Sequence, residues 1–185
     1  MKYLIAIFFI FSVVIAGLVE ETGDRIQILM GKSVIIEHQI IQIPDSIQSV
    51  ISNIVKQNFF RDELHIWHIT QGDSLTAIAI LDNVVGKSMP ITFFVIFTAQ
   101  SQIQHVEIVK YRESYGGEIK SRRWLDQFIE KDASSDFLIG KDINGISGAT
   151  ISANSISHGV NKLTILTPWL MEVFKANTKN HISLK

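Results

Sequence analysis

Apolar residues fill the start of the chain almost without a break. The run over 3–19 is interrupted only by Ser12 and Gly17, with Met1-Lys2 before it and Glu20-Glu21 after it. A short positive start followed by such a run reads as an export signal, with Val14-Ile15-Ala16 offering small or branched residues at the cleavage point. If retained, the same segment is a single membrane anchor, since its length reaches the lower limit for spanning. Lys2 on one side and two Glu on the other put the rest of the chain on the extracytoplasmic face.

Beyond this run the pattern alternates between strand and helix periods. Residues 25–30 and 33–43 are rich in Ile and Val with partial alternation, which predicts short strands. Pro44-Asp45-Ser46 then offers a helix start capped by Asp45 or Ser46. Ile47, Val50, Ile51, Ile54 and Val55 follow at the spacing of one helical face. Residues 64–70 and 75–84 predict a hairpin around Gln71-Gly72-Asp73-Ser74. Residues 91–98 are nearly all apolar, as expected of a central strand covered on both faces. Residues 104–111 predict the next strand, with Val106 and Ile108 alternating against His105 and Glu107. Near the C-terminus Ala149, Ala153, Ile156, Val160 and Leu163 mark a helix with one buried face. Thr167-Pro168 predicts either a second helix or a kink, with Trp169, Leu170, Val173 and Phe174 as its apolar stripe. No internal repeat appears. The fold class expected is α+β: an antiparallel sheet with packed helices. The organisation expected is a signal or anchor over 1–19, an α+β extension over 20–84, a main domain over 85–176 and a polar tail over 177–185.

Composition narrows the function. Apolar residues make up 46% of the chain, ample for a core, and the net charge is −1. Nucleic-acid binding calls for a basic stripe. The longest basic cluster, Lys120 with Arg122 and Arg123, is broken by Ser121, and reads as a solvated helix start or as a face toward an anionic partner. The absence of cysteine excludes disulfides, thiolate iron–sulfur ligation and thioether haem.

The candidate chemistry lies in Ser147-Gly148-Ala149-Thr150. Small residues allow a ligand close to the backbone, and Gly148 can take a positive φ. Ser147 or Thr150 is the expected cap of the helix that follows. The unpaired N–H groups of a helix start, with its dipole, form a seat for phosphate. An ordinary capped loop-to-helix junction uses the same residues.

The surrounding sequence resembles the FMN-binding domain family. Gly86-Lys87-Ser88-Met89-Pro90-Ile91-Thr92-Phe93-Phe94-Val95 resembles its opening strand, and Arg112-Glu113-Ser114-Tyr115-Gly116-Gly117 its Glu- and Gly-containing flavin loop. Ser121-Arg122-Arg123-Trp124 resembles the short helix that follows, and Ser147-Gly148-Ala149-Thr150 the attachment sequence. The likeness runs from about Gly86 to about Leu163. It implies FMN joined by a phosphodiester to the Thr150 hydroxyl, placed there from FAD by a separate magnesium-dependent flavin transferase. It also implies an electron relay serving membrane or periplasmic redox proteins, as in the sodium-translocating NADH:quinone reductase and Rnf-type complexes. Ser147, Gly148, Ala149, Glu113 and Gly117 would line the cofactor, and the motif would open the C-terminal helix. One position departs: members usually carry Asp three residues before the motif Ser, and here that residue is Asn144, with Asp142 two residues too early.

Two further readings stay open. The chain could hold FMN or another phosphorylated ligand without a covalent bond, which Asn144 favours, or serve as a cofactor-free structural subunit. No nucleophile elbow accompanies the motif, which argues against a hydrolase. No Gly-x-Gly-x-x-Gly opens a βαβ unit, which argues against a nicotinamide site. His65 and His68 are three apart in a predicted strand and so point to opposite faces, a poor shared metal site. His38, His105, His158 and His181 have no ligand-like spacing. Trp124 and Phe128 read as core, and Tyr115 as a residue that could stack on a ligand.

Overall fold

The computed structural model describes residues 2–72 and 74–182, with side chains from 16 to 174 apart from residue 73. Its centre is one antiparallel sheet of five strands in sequence order: β1 (Ile35–Gln42), β2 (Glu63–Gln71), β3 (Ser74–Val85), β4 (Pro90–Thr98) and β5 (Ile103–Lys110). Each strand pairs with the next one in the chain, as short connections favour. The sheet is continuous across residue 85, so β1 to β3 and β4–β5 share one hydrogen-bond ladder.

Helices cover both faces. On one side lie α2 (Asp45–Val55) and the long C-terminal helix α4 (Thr150–Ile182). Their buried Ile51, Val55, Ala153, Ile156, Val160 and Leu163 meet Ile66, Ile80, Val84, Phe93 and Val95 of the sheet. On the other side α1 (Lys2–Met30) places Ile26 against Trp67, Ile69, Ala77, Ala79, Leu81, Phe94 and Ile96. Its last turns are held to β5 by ion pairs, Glu21 to Lys110 at 2.8 Å and Arg25 to Glu107. Glu21 and Arg25 also pair with each other, one helical turn apart, at 2.9 Å. The short helix α3 (Arg122–Leu125) continues into a 3₁₀ turn at Asp126–Phe128 beside β5.

The α+β class, the hairpin, the doubly covered β4 and the C-terminal helix all agree with the sequence reading. Three details differ. Residues 25–30 are the end of α1, not a strand. A strand would point Ile26 and Ile28 to the same face, but they are 0% and 80% exposed, because the helix turns them to different sides and sets Ile26 toward the sheet. At the start of α2 neither Asp45 nor Ser46 acts as cap. Pro44 occupies the cap position, and its carbonyl receives the N–H groups of Ile47 and Gln48. Of the two readings at Thr167-Pro168 the second helix is not formed: Pro168 lies inside α4, which runs on through residues expected as a tail.

The export or anchor segment over 1–19 falls mostly on residues whose side chains lie outside the described set. Among the described residues no helix is long and apolar enough to cross a membrane.

Candidate functional site

Three connections converge at the start of α4: the β3–β4 turn, the loop after β5, and the loop that leads into the helix. Between them lies an open cleft of about 470 Å³ lined by Lys87, Ser88, Tyr111, Glu113, Ser114, Tyr115 and residues 148–152. That volume falls in the range of small-molecule sites.

Glu113 organises one wall. Its Oε1 accepts the backbone N–H groups of Ser88, at 2.8 Å, and Met89, at 3.1 Å. Hydrogen atoms in place of a side chain at Gly86 make room for this carboxylate, because a Cβ there would stand 2.6 Å from Oε1. The two N–H donors hold the Glu113 carboxyl below the usual carboxylate range, since they favour its charged form. A group depressed in the folded state stabilises at pH above its unfolded value and loses that contribution as pH falls through its folded value. Acidification below the usual carboxylate range is therefore expected to loosen this turn. Amide hydrogen exchange at Ser88 and Met89, corrected for intrinsic rates, should rise there. Unchanged protection would show that Glu113 does not hold the turn.

The second wall is the motif. Ala149 is buried and sits against Gly116, which has φ +80° and no space for a side chain: a Cβ there would lie 2.3 Å from that of Ala149. The Tyr111 hydroxyl donates to the Tyr115 carbonyl at 2.6 Å and lies 3.5 Å from Ser152 Oγ, which closes this junction. Gly148 has φ +77°. The chain enters α4 through backbone bonds alone, Ala149 N–H to the Ile146 carbonyl and Ala153 N–H to the Ala149 carbonyl. Neither Ser147 nor Thr150 caps the helix with its side chain, because the loop's own turn already starts the ladder. Thr150 is exposed, and among the described residues its hydroxyl has no hydrogen-bond partner.

Of the residues singled out from sequence, Glu113, Gly148, Ala149 and Thr150 meet in the cleft, as does Tyr115, 82% exposed at its rim. Ser147 is exposed and Gly117 opens a 3₁₀ turn, and neither is among the residues that line the cleft. Lys87, Ser88, Tyr111 and Ser152 were not anticipated. Lys87 is the one basic residue among those that line the cleft. Glu113 carries the opposite charge.

Behind the motif, Asn144 is fixed from both sides. Its backbone N–H and its side-chain Nδ2 both donate to Gln127 Oε1, at 2.8 and 2.7 Å. Its carbonyl accepts the indole N–H of Trp124 at 2.7 Å. Trp124 and Phe128 are core residues in edge-to-face contact at 5.3 Å. His65 and His68 do face opposite sides: His65 stacks on His38, with Nδ1 and Nε2 3.0 Å apart, while His68 meets Phe174 of α4. Among the described residues no three His, Cys, Asp or Glu are grouped to hold a metal ion.

Residues fit for a phosphorylated aromatic ligand are thus gathered in one place: a free hydroxyl at a helix start, an ammonium, an ordered carboxylate and an exposed tyrosine. Residues 86–164 match the family model of the FMN-binding domain. The matched segment holds every residue of the cleft. No curated protein matches the chain.

Proposed function

We propose, for a chain whose residues 86–164 belong to the FMN-binding domain family, that Thr150 carries the FMN through a phosphodiester and that the protein relays electrons. The observation that supports this most is the Thr150 hydroxyl. It is exposed and, among the described residues, without a hydrogen-bond partner at the first residue of α4, on a cleft that Lys87 also lines. When bound, FMN supplies reversible redox chemistry, and the protein sets its orientation and exposure. Thr150 would give up its proton as Oγ1 bonds to the FMN phosphorus of FAD, the pyrophosphate bond breaks and AMP leaves, in a reaction run by a separate flavin transferase. The N–H groups at the start of α4 and Lys87 would balance the phosphodiester charge. Ala149, locked against Gly116, fixes where Thr150 projects. Glu113 holds the Lys87–Met89 turn and so the opposite wall.

A covalent bond suits a protein working outside the cytoplasm, where a dissociated cofactor is lost by dilution and a tethered one keeps its effective concentration. The apolar run over 3–19 supports such a location, on the membrane face or in the periplasm, with redox proteins there as donor and acceptor. Coexpression with a flavin transferase, then intact mass under denaturing conditions, tests the reading. A gain of one FMN less water is expected. An unmodified mass, with yellow colour lost on denaturation, would establish instead a non-covalent FMN module. The engagement of the Asn144 amide by Gln127 favours that second reading, since it leaves no carboxylate at this position.

A further inference from the structure

We propose that the Asn144–Gly145 peptide is a latent self-modification site, held in its amide form by Gln127. An asparagine followed by glycine is chemically poised for imide formation, because no side chain shields the attacking nitrogen. Both residues are exposed. Among the described residues the Gly145 N–H has no hydrogen-bond partner, so its nitrogen is available.

The chemistry needs only water. The Gly145 nitrogen bonds to Asn144 Cγ and gives up its proton, the Cγ–Nδ2 bond breaks, and ammonia leaves with the proton it gains. Water then opens the cyclic imide to aspartate, or to isoaspartate with the chain routed through the side chain.

Geometry opposes the first step. Asn144 Nδ2 and the Asn144 backbone N–H share one acceptor, Gln127 Oε1. The carboxamide is therefore held toward the amino side of its own residue, whereas the attacking nitrogen lies on the carbonyl side. Gln127 is itself fixed, with Nε2 donating to the Trp124 carbonyl at 3.0 Å. Once the imide has opened, the side-chain half of the clamp cannot re-form, and only the backbone N–H of residue 144 is left to donate. A carboxylate at 144 has no hydrogen to offer Oε1, so two acceptors face each other unless Gln127 turns its amide and gives up its bond to Trp124. Isoaspartate also adds a backbone atom to the loop that delivers Gly148 and Thr150. The link from this loop to cofactor loading rests on the function proposed above; the conversion itself does not.

The test incubates the unloaded full chain in mildly alkaline buffer. Peptide mass mapping follows conversion at residue 144, and an isoaspartate assay reports the branched product. Gln127→Met, which keeps side-chain length and removes the acceptor, should convert faster by roughly fivefold or more, the factor that one hydrogen bond of ordinary net strength is worth. Gly145→Ala should slow conversion in both backgrounds. Circular dichroism verifies that the variants are folded, and Gln127→Ala is the second variant if Met packs poorly. Equal rates with and without the Gln127 acceptor would overturn the clamp, and conversion at 144 of Gln127→Met no faster than at other exposed asparagines would overturn the site. Loading the converted and fresh chains with a flavin transferase then compares flavin fluorescence in a denaturing gel. A difference ties the switch to Thr150, while equal loading limits it to the loop, and no loading of either overturns the anchor and leaves the mapped conversion standing.

Discussion

Thr150→Ala is expected to remove all covalently held flavin while leaving the fold intact. The change deletes one exposed hydroxyl that bonds to nothing among the described residues. The bond that Thr150 does make uses its backbone: the carbonyl accepts Asn154 Nδ2 at 2.8 Å and survives the substitution. Ala is also the better helix former, so the stability change should stay within about 0.5 kcal/mol, as for surface sites away from special features. Thr150→Ser keeps the hydroxyl and should keep some loading. The measurement is intact mass beside flavin fluorescence in a denaturing gel, with thermal unfolding as the control. Flavin retained on denatured Thr150→Ala would place the attachment elsewhere, and Ser152, which also lines the cleft, would be the next residue to test.

Much of this site was legible because its residues are close in sequence. Gly148, Ala149 and Thr150 are adjacent, and Glu113 stands beside the Gly116-Gly117 pair that turns the chain. What the sequence hid are contacts made only by folding. Lys87 reaches the cleft because Glu113, 26 positions on, binds the amides that follow Lys87. Asn144 reads as an exposed loop residue until Gln127 is seen to accept from it twice. In the fold, β4 was plain because layers on both faces demand apolar residues throughout, whereas residues 25–30 misled because the polar–apolar alternation from Arg25 to Ile28 also fits the last turns of a helix, which buries Ile26 and leaves Ile28 exposed. His38 has no metal-like spacing to any other histidine, yet strand pairing sets it diagonally across from His65.

One pair had a sequence signal that went unread: Asp82 within the apolar strand β3 and Lys162 within the buried face of α4. A charge set in an apolar run needs a partner. The two meet at 2.8 Å with side chains 2% and 0% exposed. Asp82 Oδ1 also accepts the Asn83 N–H at 2.7 Å. Lys162 donates to the Asn58 carbonyl at 3.2 Å and sits 4.7 Å above the Phe59 ring, so it ties β3, α4 and the loop after α2 together. Burial pushes the Asp82 carboxyl up, and Lys162 pulls it back.

Lys162→Met should therefore cost about 3–5 kcal/mol, because it strands a carboxylate where water cannot reach. The loss should carry its own pH signature. An acid raised in the folded state binds more protons folded than unfolded, so the variant should lose stability as pH rises through and above the usual carboxylate range. Adding Asp82→Asn should remove that slope and recover most of the loss, since a neutral pair of similar size carries no ion-desolvation cost. Denaturant unfolding of the two single variants and the double variant measures the coupling directly. A Lys162→Met protein as stable as the parent would mean that packing alone seats α4 on the sheet. A large coupling would mean instead that this ion pair sets the register of the helix on β3. The first turn of that helix is where Thr150 meets the cleft, so the position of the anchor would depend on a charge pair three turns away.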